Sequence, residues 1–507
     1  MKVKLAGFNI EQELIQSLAR NRRVVPTPET IAAAYARVSR SIKPVEILRS
    51  EARRELKRAR QSNQTIVFEM GHHSIAEHAV FNFDIEDVSR LAVEAIEHHR
   101  LASFTERSQR YVRLENHFIV PPEIQDSEYL SDYLNIIRLQ NESYNRLVEK
   151  LKEHFAQSRP ELKEQPDRIE NLAKEDARYI TALATQTQLG MTVNARTLEL
   201  MLRRLAANEL TEVRALAEEL FRQAEAVAPS LLIFTGPTEY ECNTYQRLKD
   251  FARVFMQKPF PRRPRNLIAM SASDVVLVDY TQNADNKLLA TLMHTTSKAS
   301  YAECLSRSEK QTLARKKEIF KLACEDLQAY DPVLREFEHL YLTFELIISA
   351  ACFAQLKRHR LTTITCQPYD PDLGWTIPVS IAELKEHKGF KEVLAQTEEV
   401  FNKIAQFNPA VAQYVLTNSH QRRVLITLNA RELYHLSRLR EDPSAQWDIR
   451  DIVSRMVEQA RNVMPLTLLL AGGKDSYPRV YQELFGKEPK VTKLELPKPR
   501  QIKRNNK

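Results

Sequence analysis

Two short clusters of basic side chains are the residues whose type and spacing could do chemistry. They read HHR at residues 98–100 and RHR at residues 358–360, each at the end of an amphipathic segment. Guanidinium groups bind phosphate through paired hydrogen bonds, and they stabilise negative charge that develops on a reacting ring. For an isolated triplet, a basic turn on a solvated helix end is an equally good interpretation. The surrounding sequence therefore has to decide between them.

The sequence around these triplets is repeated. The distance from His78 to His99 is 21 positions, and that from His339 to His359 is 20. The matching blocks are a Glu-His pair, the triplet, Asn-Ala-Arg and an acidic-apolar-arginine step, at residues 77–78, 98–100, 194–196 and 212–214, and again at 338–339, 358–360, 429–431 and 448–450. Four matches in the same order predict a tandem duplication.

Hydrophobic periodicity predicts the elements that must position these blocks. Helical spacing of apolar residues occurs over residues 45–59, 128–154 and 208–227,. Strict alternation over residues 79–85 and 340–346 predicts one strand after each Glu-His pair,. We therefore expect a helix-rich α+β fold that occurs twice.

The length and the position of the prolines predict the domain limits. A chain of 507 residues, 43% hydrophobic, is long enough for two cores,. We expect a first domain over residues 1–235, a Pro-rich linker over 236–270, a second domain over 271–485 and a basic tail over 486–507,.

Composition argues against several classes of protein. No apolar run approaches the length of a membrane span and no secretory signal opens the chain, so we expect a cytoplasmic protein without a membrane partner,. The five cysteines are scattered, which argues against a disulfide framework and a cysteine zinc site,. The nine glycines include no G-x-G, so a nucleotide would be held by arginine, histidine and helix N-termini,.

The first half carries the resemblance to a known family. Residues 98–111 read HHRLASFTERSQRY, which is similar to the Arg-His-Arg and Glu-x-Ser-x-Arg-Tyr signature of flavin-dependent thymidylate synthases. The segments ARVS at 36–39, GHHSIAEH at 71–78, EDAR at 175–178 and NAR at 194–196 also resemble blocks of that family. The resemblance spans most of both halves, so we expect two tandem domains of this family.

The resemblance implies an enzyme that makes dTMP from dUMP. The family uses FAD, with NADPH as the reductant and methylenetetrahydrofolate as the carbon donor. It acts as a homotetramer, and each site is assembled across subunit interfaces. Uracil is a poor nucleophile, so arginines near its ring oxygens would have to stabilise the charge that develops there.

The resemblance implies substrate-binding residues in the first half: Glu106, Ser108, Arg110 and Arg178. Ser108 is expected to donate a hydrogen bond to phosphate or pyrimidine, because no histidine and acid are placed in sequence to activate it as a nucleophile. This half has Ala95 where the family has glutamine, and it has no clean match for the family's essential arginine.

The second half carries the complementary set. Gln355 and Arg440 stand where the family orients and polarises the pyrimidine, so both are expected to bind substrate and to take part in catalysis with Ser108. The phosphate-binding element is replaced by CQPYD at residues 366–370, and the aspartate there would repel a phosphate,.

The resemblance also implies a set of cofactor-binding residues, and no metal is expected. The flavin would be held by His72, Ser74, Arg358, His359, Arg360, Asn429, Arg431 and His435. Capping of a helix is an equally good role for Asn429 and for its counterpart Asn194. Local pairing is an equally good role for Glu77 and Glu338. No H-E-x-x-H motif supports zinc,.

Two half-sites suggest how the protein works. We expect a homodimer that forms a pseudo-tetramer of domains, with two composite sites that each take the phosphate-binding set from one repeat and Arg440 from the other. The alternative is a non-catalytic homologue that binds nucleotide or flavin for regulation or assembly. A weaker alternative is nucleic-acid binding through the basic linker and tail, which steep salt dependence would reveal.

Overall fold

A computed structural model describes residues 1–15, 25–256 and 274–490 of the chain. Part of the predicted linker and most of the predicted basic tail lie outside the described residues.

Among these residues, eight strands form two four-stranded antiparallel sheets of the same topology. The strands are β1 (Lys2–Phe8), β2 (Val80–Ser89), β3 (Ala102–Glu106), β4 (Gln186–Asn194), β5 (Asp274–Tyr280), β6 (Tyr341–Ser349), β7 (Thr363–Tyr369) and β8 (Gln421–Asn429). Their orders are β1-β2-β4-β3 and β5-β6-β8-β7. The predicted helix-rich α+β fold with two copies is therefore confirmed.

Helices surround both sheets. They are α1 (Glu29–Val38), α2 (Val45–Arg54), α3 (Leu56–Asn63), α4 (Arg90–Glu97), α5 (Pro122–Gln125), α6 (Leu130–Ser158), α7 (Pro166–Ala177), α8 (Ala195–Ala206), α9 (Thr211–Glu225), α10 (Glu239–Phe255), α11 (Ala284–Thr296), α12 (Tyr301–Glu309), α13 (Leu313–Cys324), α14 (Ala350–Leu356), α15 (Val379–Glu383), α16 (His387–Phe407), α17 (Pro409–Ala412), α18 (Ala430–Arg440), α19 (Trp447–Val463) and α20 (Tyr477–Phe485). No helix in the described part of the chain is long and apolar enough to cross a membrane.

The predicted elements appear with small changes in their ends. Both predicted strands begin one residue later and run on to a serine that caps the next helix. The predicted helices over residues 128–154 and 208–227 correspond to α6 and α9. The one predicted over 45–59 is two helices, because Glu55 adopts φ −118° and ψ 59°, outside the helical region,.

The chain forms two compact units that do not follow the repeats everywhere. One contains Met1–Pro264 together with Ile377–His420, and the other contains Arg265–Thr376 and Gln421–Lys507. The segment Ile377–His420 of the second repeat thus packs with the first repeat. Its residues Ile404 and Tyr414 belong to the same apolar core as the first sheet.

Inside the first unit, equivalent segments of the two repeats pair with each other. The backbone N–H of Leu183 donates to the carbonyl of Leu416 (2.8 Å), and that of Asn418 donates to Thr181 (3.0 Å), around an antiparallel bridge between Ala182 and Thr417. Ala182 and Thr417 occupy the same position in their repeats, 12 residues before Asn194 and Asn429. The contact therefore has the self-complementary form of a two-fold interface, built here within one chain.

Candidate functional site

The helix that leads to each basic triplet begins with the same arrangement in both repeats. Ser89 and Ser349 cap α4 and α14 by accepting a hydrogen bond from the backbone three residues on. The Ser89 hydroxyl donates to Glu212 and the Ser349 hydroxyl to Asp448, each at 2.6 Å. The acidic-apolar-arginine step of each repeat therefore holds the N-terminal end of the helix that carries its triplet.

The Glu-His and Asn-Ala-Arg blocks also meet in both repeats. Glu77 accepts a hydrogen bond from Arg196 at 2.5 Å, and Glu338 accepts one from Arg431 at 2.7 Å. Arg431 also donates to the carbonyl of Val333. The local pairing that was one interpretation of the two glutamates is confirmed, and the predicted cofactor ligand Arg431 is already held by protein groups.

Asn194 and Asn429 cap α8 and α18. Each side chain accepts a hydrogen bond from the backbone N–H three residues on, at Thr197 and Glu432. The capping role is confirmed for both residues. It is the same in the two repeats, so Asn429 does not distinguish one from the other.

The middle histidine of each triplet is buried, but its partners differ. Nδ1 of His99 lies 3.0 Å from the carbonyl of Ile96, and its Nε2 has no partner among the described residues. Burial lowers the pKa of His99 to about 4. Nε2 of His359 accepts a hydrogen bond from Nε of Arg440 at 3.0 Å, and its Nδ1 lies 3.4 Å from Glu432. Burial also lowers the pKa of His359, and Glu432 opposes this shift.

Gln355 lies in the same cluster of the second unit. Its backbone carbonyl accepts a hydrogen bond from Nη2 of Arg440 at 3.3 Å, and its Nε2 donates to Gln446 at 3.1 Å. Oε1 of Gln355 is buried without a partner in the described part of the protein. A buried acceptor of this kind is stabilised by an N–H donor from a ligand. Arg440 and Gln355, the two residues predicted to act on the pyrimidine, are thus brought together.

His435 completes this cluster, and its ring lies 5.7 Å from that of His359. Side-chain atoms of His359, Glu432 and His435 come within 4.8 Å of one another, a spacing that a metal ion could use. Nε2 of His359, however, already accepts from a cationic arginine. A guanidinium beside a ligand histidine opposes a divalent cation.

Arg358 and Arg360 flank His359 after the end of α14. Arg358 is half-buried, whereas Arg360 is exposed. His72 and Ser74, the other predicted cofactor residues, are exposed in the first unit near the 3-10 turn His73–His78. Nε2 of His72 lies 3.3 Å from Arg40.

The predicted phosphate-binding element of the first repeat begins at the end of β3. Glu106 is opposite Leu189 in the sheet, and its carboxylate accepts hydrogen bonds from the buried Arg90. Ser108 then starts a tight turn, because its hydroxyl accepts from the backbone N–H of Arg110 at 3.2 Å. The hydroxyl proton of Ser108 is therefore available to a ligand, as the predicted donor role requires.

Arg110 and Arg178 both donate a hydrogen bond to Glu175. Nε of Arg110 donates to Glu175, and Nε of Arg178 donates to the backbone carbonyl of the same residue at 3.3 Å. Arg178 is 5% exposed, its Nη2 has no partner among the described residues, and burial lowers its pKa. An arginine remains charged even so. The predicted phosphate-binding arginines are thus brought together, with one buried guanidinium nitrogen left unsatisfied.

The second repeat has different residues at this position. Cys366 is opposite Val424, the position that Glu106 occupies against Leu189, so the alignment of CQPYD with the phosphate-binding element is confirmed by the sheet register. Asp370 stands where Arg110 is and accepts a hydrogen bond from the N–H of Asp372.

Several residues of these clusters were not predicted from the sequence. Arg90 and Glu175 neutralise part of the phosphate-binding element, and Glu432 faces His359. Asn418 donates to Gln109 and to the carbonyl of Arg178, both from the first repeat. The counterpart of Asn418 in the first repeat is a leucine. Only the packing of Ile377–His420 on the first repeat shows this contact.

Comparison with known proteins identifies the family. The family model described as thymidylate synthase complementing protein matches residues 21–230 and again residues 276–466. The chain belongs to this family, twice over. The two matched segments correspond to the two repeats, so the tandem arrangement of thymidylate synthase-like domains holds at the level of the family as well as of the sheets.

The chain is also similar to individual proteins. A flavin-dependent thymidylate synthase of Clostridium tetani is 32% identical over 218 residues, covering 42% of this chain and 84% of that protein. A UPF0159 protein of Thermoplasma acidophilum is 24% identical over 476 residues, covering 85% of this chain and 93% of that protein. A solved UMP/dUMP methylase of Streptomyces cacaoi is similar at a TM-score of 0.34 and 17% identity, over 39% of this chain and 94% of that one.

Within this thymidylate synthase-like family, the chain has its candidate site residues divided between two repeats. In the described part of the chain, the buried arginine cluster with Ser108 is present only in the first repeat, and the group formed by Arg440, His359 and Gln355 only in the second. The three scaffold contacts described above, in contrast, are found in both repeats.

Proposed function

We propose that this chain is an FAD-dependent thymidylate synthase that methylates dUMP to dTMP, with methylenetetrahydrofolate as carbon donor and NADPH as reductant. One observation carries the proposal: each repeat has lost the half of the site that the other retains. Loss of function would be expected to erode both halves of a site in each repeat. Retention of one complete complementary set is the outcome expected if the two sets still work together.

The first repeat would bind the phosphate of dUMP. Arg178 offers an unsatisfied guanidinium nitrogen in a buried position, where an anion interacts strongly because water screens it little,. The hydroxyl of Ser108 would donate a further hydrogen bond. Arg110 would move its charge from Glu175 towards the phosphate when the ligand is present.

The second repeat would act on the pyrimidine. Arg440 is held at two of its nitrogens by His359 and by the carbonyl of Gln355, so its charge is fixed before the ligand arrives. A fixed cation stabilises negative charge on a ring oxygen without the reorganisation that water would need. The orphan acceptor Oε1 of Gln355 would accept an N–H of the ring.

The residues present fit a flavin cofactor. Arg358 and Arg360 flank His359, and the exposed Arg360 suits the pyrophosphate of FAD,. His435, also exposed, would lie against the cofactor. His72 and Ser74 of the first repeat, both exposed, would complete the binding residues. Bound FAD would supply the hydride that completes the methyl group.

We further propose that two chains associate in the cytoplasm to form a pseudo-tetramer of domains. Its two composite sites would each join Ser108, Arg110 and Arg178 to Arg440 and Gln355. The basic tail and linker would not bind nucleic acid. Since part of the linker and most of the tail lie outside the described residues, salt-dependence measurements on the full chain would test this point,.

The direct test is spectroscopic and kinetic. Purified protein should be yellow, should lose its colour with NADPH in the presence of dUMP, and should form dTMP when methylenetetrahydrofolate is added. Expression should also support growth of a thymidine auxotroph. Protein that contains flavin and binds dUMP but forms no dTMP under any reducing condition would contradict the proposal.

A second candidate is a non-catalytic homologue that binds a nucleotide for regulation or assembly. The ion pair between Arg110 and Glu175 favours it, because a carboxylate already neutralises a phosphate-binding cation. A colourless protein that binds dUMP would select this alternative. Bound flavin distinguishes the two candidates, and it is measured by the absorbance of the same sample.

A further inference from the structure

Arg440 lies at the end of a chain of three buried or half-buried groups. Its Nε–H donates to Nε2 of His359 at 3.0 Å, and Nδ1 of the same ring lies 3.4 Å from Oε1 of Glu432. His359 and Glu432 are both less than 5% exposed. His359 belongs to the triplet, Glu432 lies in the first turn of α18, and Arg440 is the last residue of that helix.

The direction of the hydrogen bonds fixes the form of the imidazole. A guanidinium can only donate, so Nε2 of His359 must carry the lone pair and Nδ1 must carry the proton. Nδ1 makes no hydrogen bond within the described residues, but it lies 3.4 Å from Oε1 of Glu432. The negative charge of that carboxylate favours a proton on Nδ1 over one on Nε2. If Nε2 were protonated instead, two N–H donors would oppose each other and Arg440 would have to move.

The first repeat lacks this arrangement although it keeps the histidine. Thr197 stands where Glu432 is, three residues after the capping asparagine, and Leu205 stands where Arg440 is. Nδ1 of His99 lies against a backbone carbonyl, and its Nε2 has no partner within the described ranges. The first repeat therefore lacks both the acid and the arginine, and its buried histidine has only a packing role.

We infer that Glu432, through His359, is a positioning residue for Arg440: it fixes the ring tautomer that accepts from the guanidinium and so holds that cation in its working orientation. The inference rests on the proposed function for the role of Arg440. The hydrogen-bond arrangement itself does not depend on that function and is measurable without turnover.

The structural part is tested by nitrogen NMR of full-length protein labelled with [¹⁵N]histidine, with the His359 signals assigned by their loss in His359→Gln. At pH 7.5 the ring should be neutral with its proton on Nδ1. In Glu432→Thr, which installs the residue of the first repeat, the ring should gain the other tautomer. A wild-type ring protonated on Nε2 would overturn the inference.

The functional part is tested by steady-state kinetics of Glu432→Thr, Glu432→Gln and Glu432→Asp. Displacement of a reacting group by about 1 Å lowers rates by about 100-fold. We therefore expect kcat to fall about 10- to 100-fold in Glu432→Thr, with KM for dUMP within about threefold, and Glu432→Asp to recover part of the loss. Glu432→Gln, which can still accept from Nδ1 without the charge, should fall between them.

Glu458→Gln, at an exposed position of α19, is the matched control and should leave the NMR spectrum and kcat unchanged. Equal losses in kcat and thermal stability across all three Glu432 variants, without rescue by Glu432→Asp, would show a merely structural role. A wild-type enzyme without activity but with the Nδ1–H tautomer would contradict the proposed function and leave the positioning of His359 and Arg440 by Glu432 supported.

Discussion

The two repeats keep the same scaffold contacts and differ in the groups that could touch a ligand. The hydrogen bonds from Ser89 to Glu212 and from Ser349 to Asp448 are both 2.6 Å long. A glutamate–arginine pair also joins the next two blocks in each repeat, at 2.5 Å in the first and 2.7 Å in the second. Around the buried histidines, in contrast, one repeat has Leu205 and the other Arg440. Selection for the fold therefore acted on both copies, whereas each part of the site was retained in one.

The largest effect that this contrast between the repeats predicts is on turnover. Arg440→Ala and Arg110→Ala should each lower dTMP formation by at least about 100-fold, because each removes the only copy of a charge that the site needs. The measurement is product formation at saturating co-substrates. Substantial activity in either variant would mean that the repeats do not complement each other as proposed.

Mixing these two inactive variants sharpens the contrast. If sites form between chains, a mixed dimer has one intact site and one doubly altered site. Half of the dimers in an equal co-expression are mixed, so about a quarter of wild-type activity should return. Activity no higher than that of the parents would place both halves of each site within one chain.

Acid should destabilise the first compact unit through the buried His420. This histidine belongs to the second repeat, and the first repeat has Thr185 at the equivalent position. Burial lowers the pKa of His420 to about 3, whereas its unfolded value is 6.5, so the unfolded chain binds more protons below pH 6.5,. Stability should therefore fall by about 1.4 kcal/mol for each pH unit from 6.5 down towards 3,.

The variant His420→Thr, which installs the residue of the equivalent position in the first repeat, should flatten this dependence. Its thermal midpoint is compared with that of wild type at pH 7.5 and pH 5. His117 is exposed, so His117→Thr is the control. A wild-type and a His420→Thr protein with the same loss between the two pH values would contradict the assignment of the pH dependence to His420.

The shared scaffold should respond equally in both repeats. Ser89→Ala and Ser349→Ala each remove a helix cap and a hydrogen bond to a buried carboxylate, so each should lower the free energy of unfolding by about 1–3 kcal/mol. Urea unfolding followed by circular dichroism measures the loss. A large loss of unfolding free energy in one variant alone would show that the two caps have the same geometry but contribute differently to stability.

The smallest effect is expected where the second repeat has lost its phosphate-binding element. Asp370→Ala alters the exposed residue that stands in the place of Arg110, and turnover should stay within about twofold of wild type,. The same assay as for Arg110→Ala measures it. A strong loss would give the second repeat a role in phosphate binding that its aspartate argues against.

Much of the fold could be predicted from local patterns. The strands after each Glu-His pair and the long helices α6 and α9 follow from apolar periodicity, since one side of each element must be buried. The break at Glu55 could not, because no proline or glycine stands there and apolar spacing continues through it. The predicted domain limits remain a proposal. No pattern in the sequence indicated that Ile377–His420, a segment of the second repeat, belongs to the same compact unit as the first repeat.

The site residues divide in the same way. The resemblance identified Arg440, Gln355, Ser108, Arg110 and Arg178 by position in a motif. It could not identify Glu432 or Asn418, because neither belongs to a repeated block. The predictions that flavin contacts Arg358, Arg360 and His435 still stand as proposals.

By itself the sequence determined that the chain is duplicated, because four matched blocks in one fixed order are not expected by chance. It also determined which repeat retains which motif, because that depends only on residue identity. Only the tertiary structure decided which charges are already neutralised by neighbours and which buried atoms, such as Oε1 of Gln355 and Nη2 of Arg178, have no partner in the described part of the chain. Hydrogen-bond satisfaction depends on distance and direction between residues far apart in the chain, and a linear sequence does not contain either.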